Sequence, residues 1–345
     1  MPPGMPLRPR LAVTLGDPCG VGPEIIVKAL AKLKDNSEAL PLVIGDRLAV
    51  QRAIDLVGAP LRIQTVEDPS EAPAFSEEGT LYVKTPSSLG LDDIDYGRPT
   101  PTACHSIVQS IRIAVSWAME GKIDAMVTCP IHKANLHLNG FAFPGHTEFL
   151  QELTHTPHVV MMLAGPRLRV ALATIHHALA HVPRLLTPET LRQTIEITAH
   201  ALHRDFGLSV PRLAVAALNP HAGEAGRFGN EENDIIEPVI RSFSDSFCRV
   251  SGPYSPDTLF HRAYEGEFDA VIAMYHDQGL IPVKLVHFYD AVNVTLGLPI
   301  VRTSVDHGTA YDIAGTGKAQ PHSLLAAIQL AATIAQNRRN LPGRP

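Results

Sequence analysis

The sequence predicts an α/β protein, and three observations carry that expectation. Three largely apolar runs, residues 169–175, 212–218 and 269–275, each end at or just before a histidine. Runs rich in Val, Ile, Leu and Ala read as strands covered on both faces. Between them lie stretches with apolar residues at helical spacing, as at Ile107, Ile111, Ala114 and Ala118. Strand and helix signals alternate along the chain, the pattern of a mostly parallel sheet layered with helices.

The elements follow in order. The proline-rich start with Arg8 and Arg10 reads as unordered and is unlike a secretory signal. Residues 11–15 read as a strand, 16–22 as a glycine-containing turn and 23–33 as a helix. Pro23 suits the first helical position and Glu24 complements the positive helix end, while Ile25, Ile26, Ala29, Leu30 and Leu33 recur at helical spacing. A strand at 40–44 follows. Residues 65–99 mix Pro, Ser, Gly and acidic residues around short strand-like pieces such as 80–83, so loops and edge structure are expected there. A helix over 102–119 leads to a buried strand at 123–128 that stops at Cys129-Pro130. Later helices are expected at 148–153, 187–206, 234–243 and 321–336, interleaved with the three histidine-tipped strands.

With 345 residues and 45% hydrophobic content, the chain has room for two domains or one large unit with a sizeable core. No linker marks a boundary, so two domains would require the chain to cross between them more than once. The net charge of -6 and the absence of a Lys/Arg cluster argue against a nucleic-acid partner. No apolar stretch approaches membrane-spanning length. Cys19, Cys104, Cys129 and Cys248 are widely spaced without a C-x-x-C pair, which fits a reducing cytoplasm.

His176, His221 and His276 stand at the carboxyl ends of three buried strands, where open α/β sheets gather ligands. Three imidazoles at such an edge suit a divalent cation; with 17 histidines in the chain, chance placement is the competing account. The segment 144–148 reads as a helix opening, with Thr147 as cap and His146 near the positive end. It suits a phosphate or carboxylate, or is a plain capping turn. Lys284, Asn293 and Arg302 sit in or beside strand-like apolar segments and need anionic partners, from a ligand or from protein carboxylates. Glu224, Glu231 and Glu232 lie in a polar loop near His221, where capping and surface roles are expected. The segments 16–24 and 304–318, rich in glycine and small residues, either let a ligand approach backbone or simply turn the chain. No G-x-G-x-x-G follows a strand and no G-x-S-x-G elbow is present, and Cys129 reads as a buried strand end rather than a thiolate.

Five stretches together, 16–24, 145–148, 219–224, 275–280 and 293–299 running on to Gly317, resemble the 4-hydroxythreonine-4-phosphate dehydrogenases of pyridoxal phosphate biosynthesis. The resemblance spans residues 11 to about 337. It implies a two-domain α/β/α fold like that of isocitrate and isopropylmalate dehydrogenases, with the active site in the cleft and at a homodimer interface. The cofactor-side domain would comprise 1–127 and 296–345; 128–295 would form the metal, substrate and dimerisation domain. By the same resemblance His176 and His221 of one subunit and His276 of its partner hold zinc, magnesium, cobalt or manganese. His146, Thr147, Lys284, Asn293 and Arg302 match substrate-binding positions, and Lys284 and Asp277 are candidates for proton transfer. The loop 307–317 is similar to the adenosine-binding loop of the wider decarboxylating dehydrogenase superfamily, which makes His307, Gly308, Asp312, Ile313 and Gly315 the cofactor residues. Asp312 favours NAD over NADP, because a carboxylate accepts from a ribose 2′-hydroxyl and repels a 2′-phosphate. One departure is His176-His177-Ala178-Leu179, where relatives commonly carry a proline two residues after the first metal histidine.

The implied reaction is NAD(P)-dependent oxidation of 4-phosphohydroxy-L-threonine at its C3 hydroxyl, then decarboxylation to 3-amino-2-oxopropyl phosphate. The alternatives are a paralogous dehydrogenase acting on another phosphorylated sugar acid or a dihydrodiol, and a three-histidine zinc hydrolase that would bind no NAD.

Overall fold

The structure, a computed structural model, describes residues 8–33, 38–73, 79–243 and 247–341; the start of the chain read above as unordered, residues 1–7, lies outside them. In chain order the strands are β1 (Arg10–Thr14), β2 (Leu40–Ile44), β3 (Arg62–Thr65), β4 (Thr80–Lys84), β5 (Ile94–Asp95), β6 (Arg98–Pro99), β7 (Ala125–Thr128), β8 (Val160–Ala164), β9 (Arg169–Leu172), β10 (Arg212–Ala216), β11 (Arg249–Tyr254), β12 (Ala270–Ala273), β13 (Val292–Leu296) and β14 (Arg302–Ser304). Among the described residues no helix is long and apolar enough to cross a membrane.

The chain divides into two compact units, Met1–Thr156 with Leu298–Gln336, and Pro157–Gly297 with Asn337–Pro345. The first crossing therefore falls after Thr156 rather than after residue 127. The physical reason is that helix His146–Thr154 packs on helix Pro101–Met119, with the Arg112 guanidinium 5.1 Å from the centre of the Phe149 ring.

The first unit carries a sheet in the order β14-β7-β1-β2-β4-β3, parallel throughout. Its centre, including Leu11 to Val13 and Ala125 to Val127, is fully buried, which is why these strands read as unbroken apolar runs. Helix Gly22–Lys32 follows β1 with Pro23 and Glu24 in its first turn and buries Ile25, Ile26, Ala29 and Leu30. The mixed region 65–99 supplies the edge of the sheet and the small β5/β6 hairpin.

In the second unit the order is β11-β10-β12-β9-β8-β13, parallel from β11 to β9 and antiparallel across β8 and β13. Its core joins Leu168, Val170 and Leu172 to Ala214, Val271, Leu280 and Val283. The three histidine-tipped runs leave the sheet earlier than their hydrophobicity predicts, at Leu172, Ala216 and Ala273. Lys284, expected beside a strand, lies in helix His276–Val286. The helix expected at 234–243 opens as a π-turn, Glu232–Ile236, and becomes α-helical only at Glu237–Arg241.

The last turn of the C-terminal helix is fastened by a buried fork. Arg338 Nε and Nη2 donate to the two Asp205 oxygens at 2.7 and 2.9 Å, and Arg204 Nε reaches the same carboxylate at 2.7 Å. Burial alone would push the Asp205 carboxyl up, but its bonds to the two arginines hold it below the usual range. Breaking a buried pair leaves an uncompensated charge. Arg338→Met is expected to lower stability by about 3 kcal/mol, seen as a lower urea midpoint; an unchanged midpoint would show that Arg204 suffices.

Candidate functional site

At the carboxyl ends of β9, β10 and β12, buried polar side chains take over from the ladder. Ala173 and Thr174 donate backbone N–H groups to Ala273 and Met274 at 2.8 and 3.2 Å, and the Thr174 hydroxyl donates to the Met274 carbonyl at 2.7 Å. Gln278 accepts from Met274 N–H at 2.7 Å and donates to the Ala217 carbonyl at 2.8 Å. The segments leading to His176, His221 and His276 are thereby joined. Gly279 lets helix His276–Val286 lie close on β9 and β12, because a Cβ there would stand 2.7 Å from Val170 and 2.9 Å from Leu172.

Within one chain the His176 and His276 rings lie 5.7 Å apart between centroids. Asp277 Oδ1 pairs with His276 Nδ1 at 2.7 Å; an ionised carboxylate only accepts, so Nδ1 is the donor in this contact and Nε2 is the ring nitrogen left to face a metal. Two facing imidazoles, one oriented in this way, are a donor set that fits a divalent ion. His221 does not complete it within the chain: among the described residues no three His, Cys, Asp or Glu side chains converge as a metal site. The expected grouping set His176 with His221, whereas the pair that the chain itself assembles is His176 with His276.

His221 opens a left-handed run, with φ of 53° at His221, 52° at Ala222, 76° at Gly223, 43° at Glu224 and 56° at Ala225. Non-glycine residues in this region are strained, and strain of this kind persists only where neighbours enforce it. The enforcing group is Glu232. Expected to cap or to lie at the surface, it is buried and does cap backbone, its Oε1 accepting from Leu218 and Asn219 N–H at 2.8 and 2.7 Å while Oε2 accepts from the Asn219 amide at 3.0 Å. The π-turn beginning at Glu232 is the local irregularity that accompanies this placement.

The first unit holds a different constellation. Arg302 on β14 is only 4% exposed, with Nε and Nη2 at 3.2 and 2.8 Å from Thr128 Oγ1. Burial pushes its guanidinium down to about 10, against the pull of Glu148, so it stays charged at neutral pH. His146 begins helix His146–Thr154, and its buried Nε2 has no hydrogen-bond partner among the described residues. Burial, then the charges of Arg302 and Lys133, push this imidazole well below its ordinary range, leaving it neutral. Lys133 Nζ and Glu148 Oε2 both lie against Gly145. Thr147 does not cap the helix; Gly145 occupies the cap position without a side-chain bond.

Of the other expected residues, Asn293 sits on β13 opposite Leu163, and Lys284 lies two turns into the helix that His276 begins. His307, Gly308 and Asp312 are exposed, while Ile313 and Gly315 are partly buried. Thr174, Gln278 and Glu232 were not marked out for function by the sequence; Thr174 and Gln278 are polar residues within a few positions of the end of a buried strand, a signal that would have found them, whereas Glu232 lies in a polar loop that offers none.

Comparisons with known proteins bear on these sites. The family model described as pyridoxal phosphate biosynthetic protein PdxA matches residues 37–331. The 4-hydroxythreonine-4-phosphate dehydrogenase of Trichlorobacter lovleyi is 50% identical over 333 residues, 96% of this chain and 99% of that protein. The D-threonate 4-phosphate dehydrogenase of Cupriavidus necator is 44% identical over 333 residues, 96% of this chain and 98% of that protein. Among solved structures, the 4-hydroxythreonine-4-phosphate dehydrogenase from Klebsiella pneumoniae aligns with a TM-score of 0.86 at 42% identity, covering 96% of this chain and 99% of that one.

Glu232→Ala would leave two part-buried backbone donors without their partner, at about 1–3 kcal/mol each. The expected outcome is a loss of roughly 3 kcal/mol in chemical denaturation. Wild-type stability in the variant would mean that the left-handed run holds itself.

Proposed function

The chain belongs to the PdxA family of pyridoxal phosphate biosynthetic proteins, and from that premise we propose that it is a 4-hydroxythreonine-4-phosphate dehydrogenase. The reaction is oxidation of 4-phosphohydroxy-L-threonine at the C3 hydroxyl with NAD, NADP being the alternative, followed by loss of carbon dioxide to give 3-amino-2-oxopropyl phosphate. The observation that carries this reading is the buried guanidinium of Arg302 and the exposed ammonium of Lys133, whose charges act on a neutral His146 with a buried Nε2 that lacks a partner among the described residues. A phosphate satisfies all three at once, because a guanidinium gives paired donors to its oxygens and a buried polar nitrogen gains the partner it lacks.

His176, His221 and His276 are the proposed holders of zinc, magnesium, cobalt or manganese, with His176 and His221 assigned to one subunit and His276 to its partner in a homodimer. A divalent ion there supplies Lewis acidity that favours loss of the hydroxyl proton. Asp277 fixes the His276 ring, and Lys284 and Asp277 are the proposed proton-transfer residues. Thr147 and Asn293 are proposed to orient the substrate's polar groups. Oxidation at C3 places a ketone β to the carboxylate, which makes carbon dioxide a good leaving group. Asp312 is proposed to accept from the ribose of NAD, beside His307, Gly308, Ile313 and Gly315.

A second reading, oxidation of D-threonate 4-phosphate, is favoured by the Cupriavidus necator relative. The phosphate group is common to both substrates, so the anion-binding residues do not separate them; the C2 amino against hydroxyl group does. The proposed location is the cytoplasm, supported by four buried free cysteines.

Homodimer formation is supported by the outer end of helix His276–Val286 and the residues after it. Ile281, Leu285, Val286, Phe288 and Tyr289 are all exposed, Leu285 at 83% and Phe288 at 69%. A patch of this kind marks an interaction surface. Leu285→Glu is expected to shift the protein to monomer in analytical ultracentrifugation; a dimer that persists places the interface elsewhere.

Purified, metal-loaded protein is expected to form NADH and release carbon dioxide from 4-phosphohydroxy-L-threonine, with Arg302→Met raising its KM at least tenfold and His221→Ala losing bound metal and turnover. Turnover confined to D-threonate 4-phosphate would select the second reading. A fully active, metal-free His221→Ala enzyme would sink the ligand assignment.

A further inference from the structure

We infer that Tyr311 and Asp17 form a latch that presets the loop 307–317 for the dinucleotide, which makes Tyr311 a positioning residue for cofactor binding. The inference rests on the reading of that loop as the cofactor site.

Tyr311 Oη donates to Asp17 Oδ2, and Asn135 Nδ2 donates to Tyr311 Oη at 3.1 Å. The His132 ring stacks on the phenol, with centroids 5.2 Å apart and planes 21° from parallel. Asp17 is itself fixed on both sides, its Oδ1 accepting from Cys19 N–H at 2.9 Å and its own N–H donating to the Pro130 carbonyl at 3.0 Å. The phenol therefore joins three distant stretches of chain: the turn after β1, the segment after β7 and the loop after β14.

The rest of the loop is tied at its two ends. Val21 N–H donates to the Thr309 carbonyl at 3.0 Å. Lys28 Nζ donates to the carbonyls of Gly317 and Ala319, both at 2.7 Å, and Ala319 N–H donates to Glu24 Oε1 at 2.8 Å. Gly315, at φ +73°, lies on the Tyr96 ring so closely that a Cβ would stand 2.2 Å from it. Tyr311 is the side-chain tie between these ends. It turns inward while its neighbour Asp312 is exposed, so anchoring one presents the other.

Burial pushes the Asp17 carboxyl up and the bonds from Tyr311 and Cys19 draw it back. Removing the phenolic hydroxyl leaves a buried carboxylate oxygen short of a donor, and the loop then samples positions in which Asp312 is misplaced. Ligand affinity falls in proportion to the fraction of molecules in the competent arrangement. A loop already ordered escapes that loss.

The test is calorimetric titration of NAD, and separately of inorganic phosphate, into the wild-type protein and Tyr311→Phe, with melting temperatures and NAD-dependent kinetics on both. The ring and its stacking survive in the variant, so folding is retained. The expected result is NAD binding weakened about tenfold and a melting temperature lowered by a few degrees, with phosphate affinity and kcat at saturating NAD unchanged. Wild-type NAD affinity in the variant overturns the latch and leaves the cofactor reading intact. A parallel loss of phosphate affinity also overturns it, as a general structural effect. Absence of NAD binding by the wild-type protein removes the cofactor reading itself.

Discussion

The carboxyl edge of the second unit depends on the buried amide of Gln278. A parallel ladder ends with unpaired N–H and C=O groups, and at a buried edge each needs a partner. Gln278 meets that need across strands, accepting from Met274 and donating to Ala217. Thr174 repeats the solution towards β9 and Glu232 towards the His221 turn. The three histidines are thus displayed by polar groups that the fold requires for its own satisfaction, and loss of any one of them would disturb imidazole placement and stability together. Gly279 belongs to the same constraint, since the helix carrying Gln278 reaches the strands only without a side chain there.

Much of this fold was legible because burial writes itself into composition. β1, β2, β4 and β7 match the apolar runs to within two residues, and helix Gly22–Lys32 starts where Pro23 and Glu24 mark it. Where the strands end was not legible: Ala173, Thr174 and Ile175 continue the apolar pattern after the ladder has stopped. Helix His276–Val286 was hidden by Gly279 and Pro282, both poor helix formers, and by an outward face as apolar as its inward one. Helix Arg47–Val57, absent from the expected elements, did carry signals in its Asp46 cap and left-handed Gly58.

At the site, the histidines were legible as strand-end residues and Arg302 as a cation in an apolar segment. Glu232 was not, because two adjacent glutamates in a polar loop look solvated until the chain folds back over Leu218 and Asn219. Nor was the contact of Tyr311 with Asp17, which long-range packing alone creates. Thr147 misled for a local reason: a threonine beside a helix start resembles a cap, but the extended backbone of Gly145 moves the cap position two residues earlier.

One physical cause, burial, sets the protonation of the first unit in opposite directions. It pushes the thiols up, Cys19 to about 12 and Cys104 to about 11, and Cys129 further still. It pushes the His146 imidazole down. All of these groups are therefore neutral at pH 7, and nucleophilic thiolate chemistry is closed to them. Arg302 is the exception, since even a guanidinium lowered to about 10 remains a cation. Low polarity strengthens its pull on any anion beside it. When such an anion arrives, its charge opposes the effect of Arg302 and Lys133 on His146 and raises the imidazole's proton affinity. Burial and the two neighbouring cations thus act on His146 in the same direction, and a negative charge beside it would act in the other.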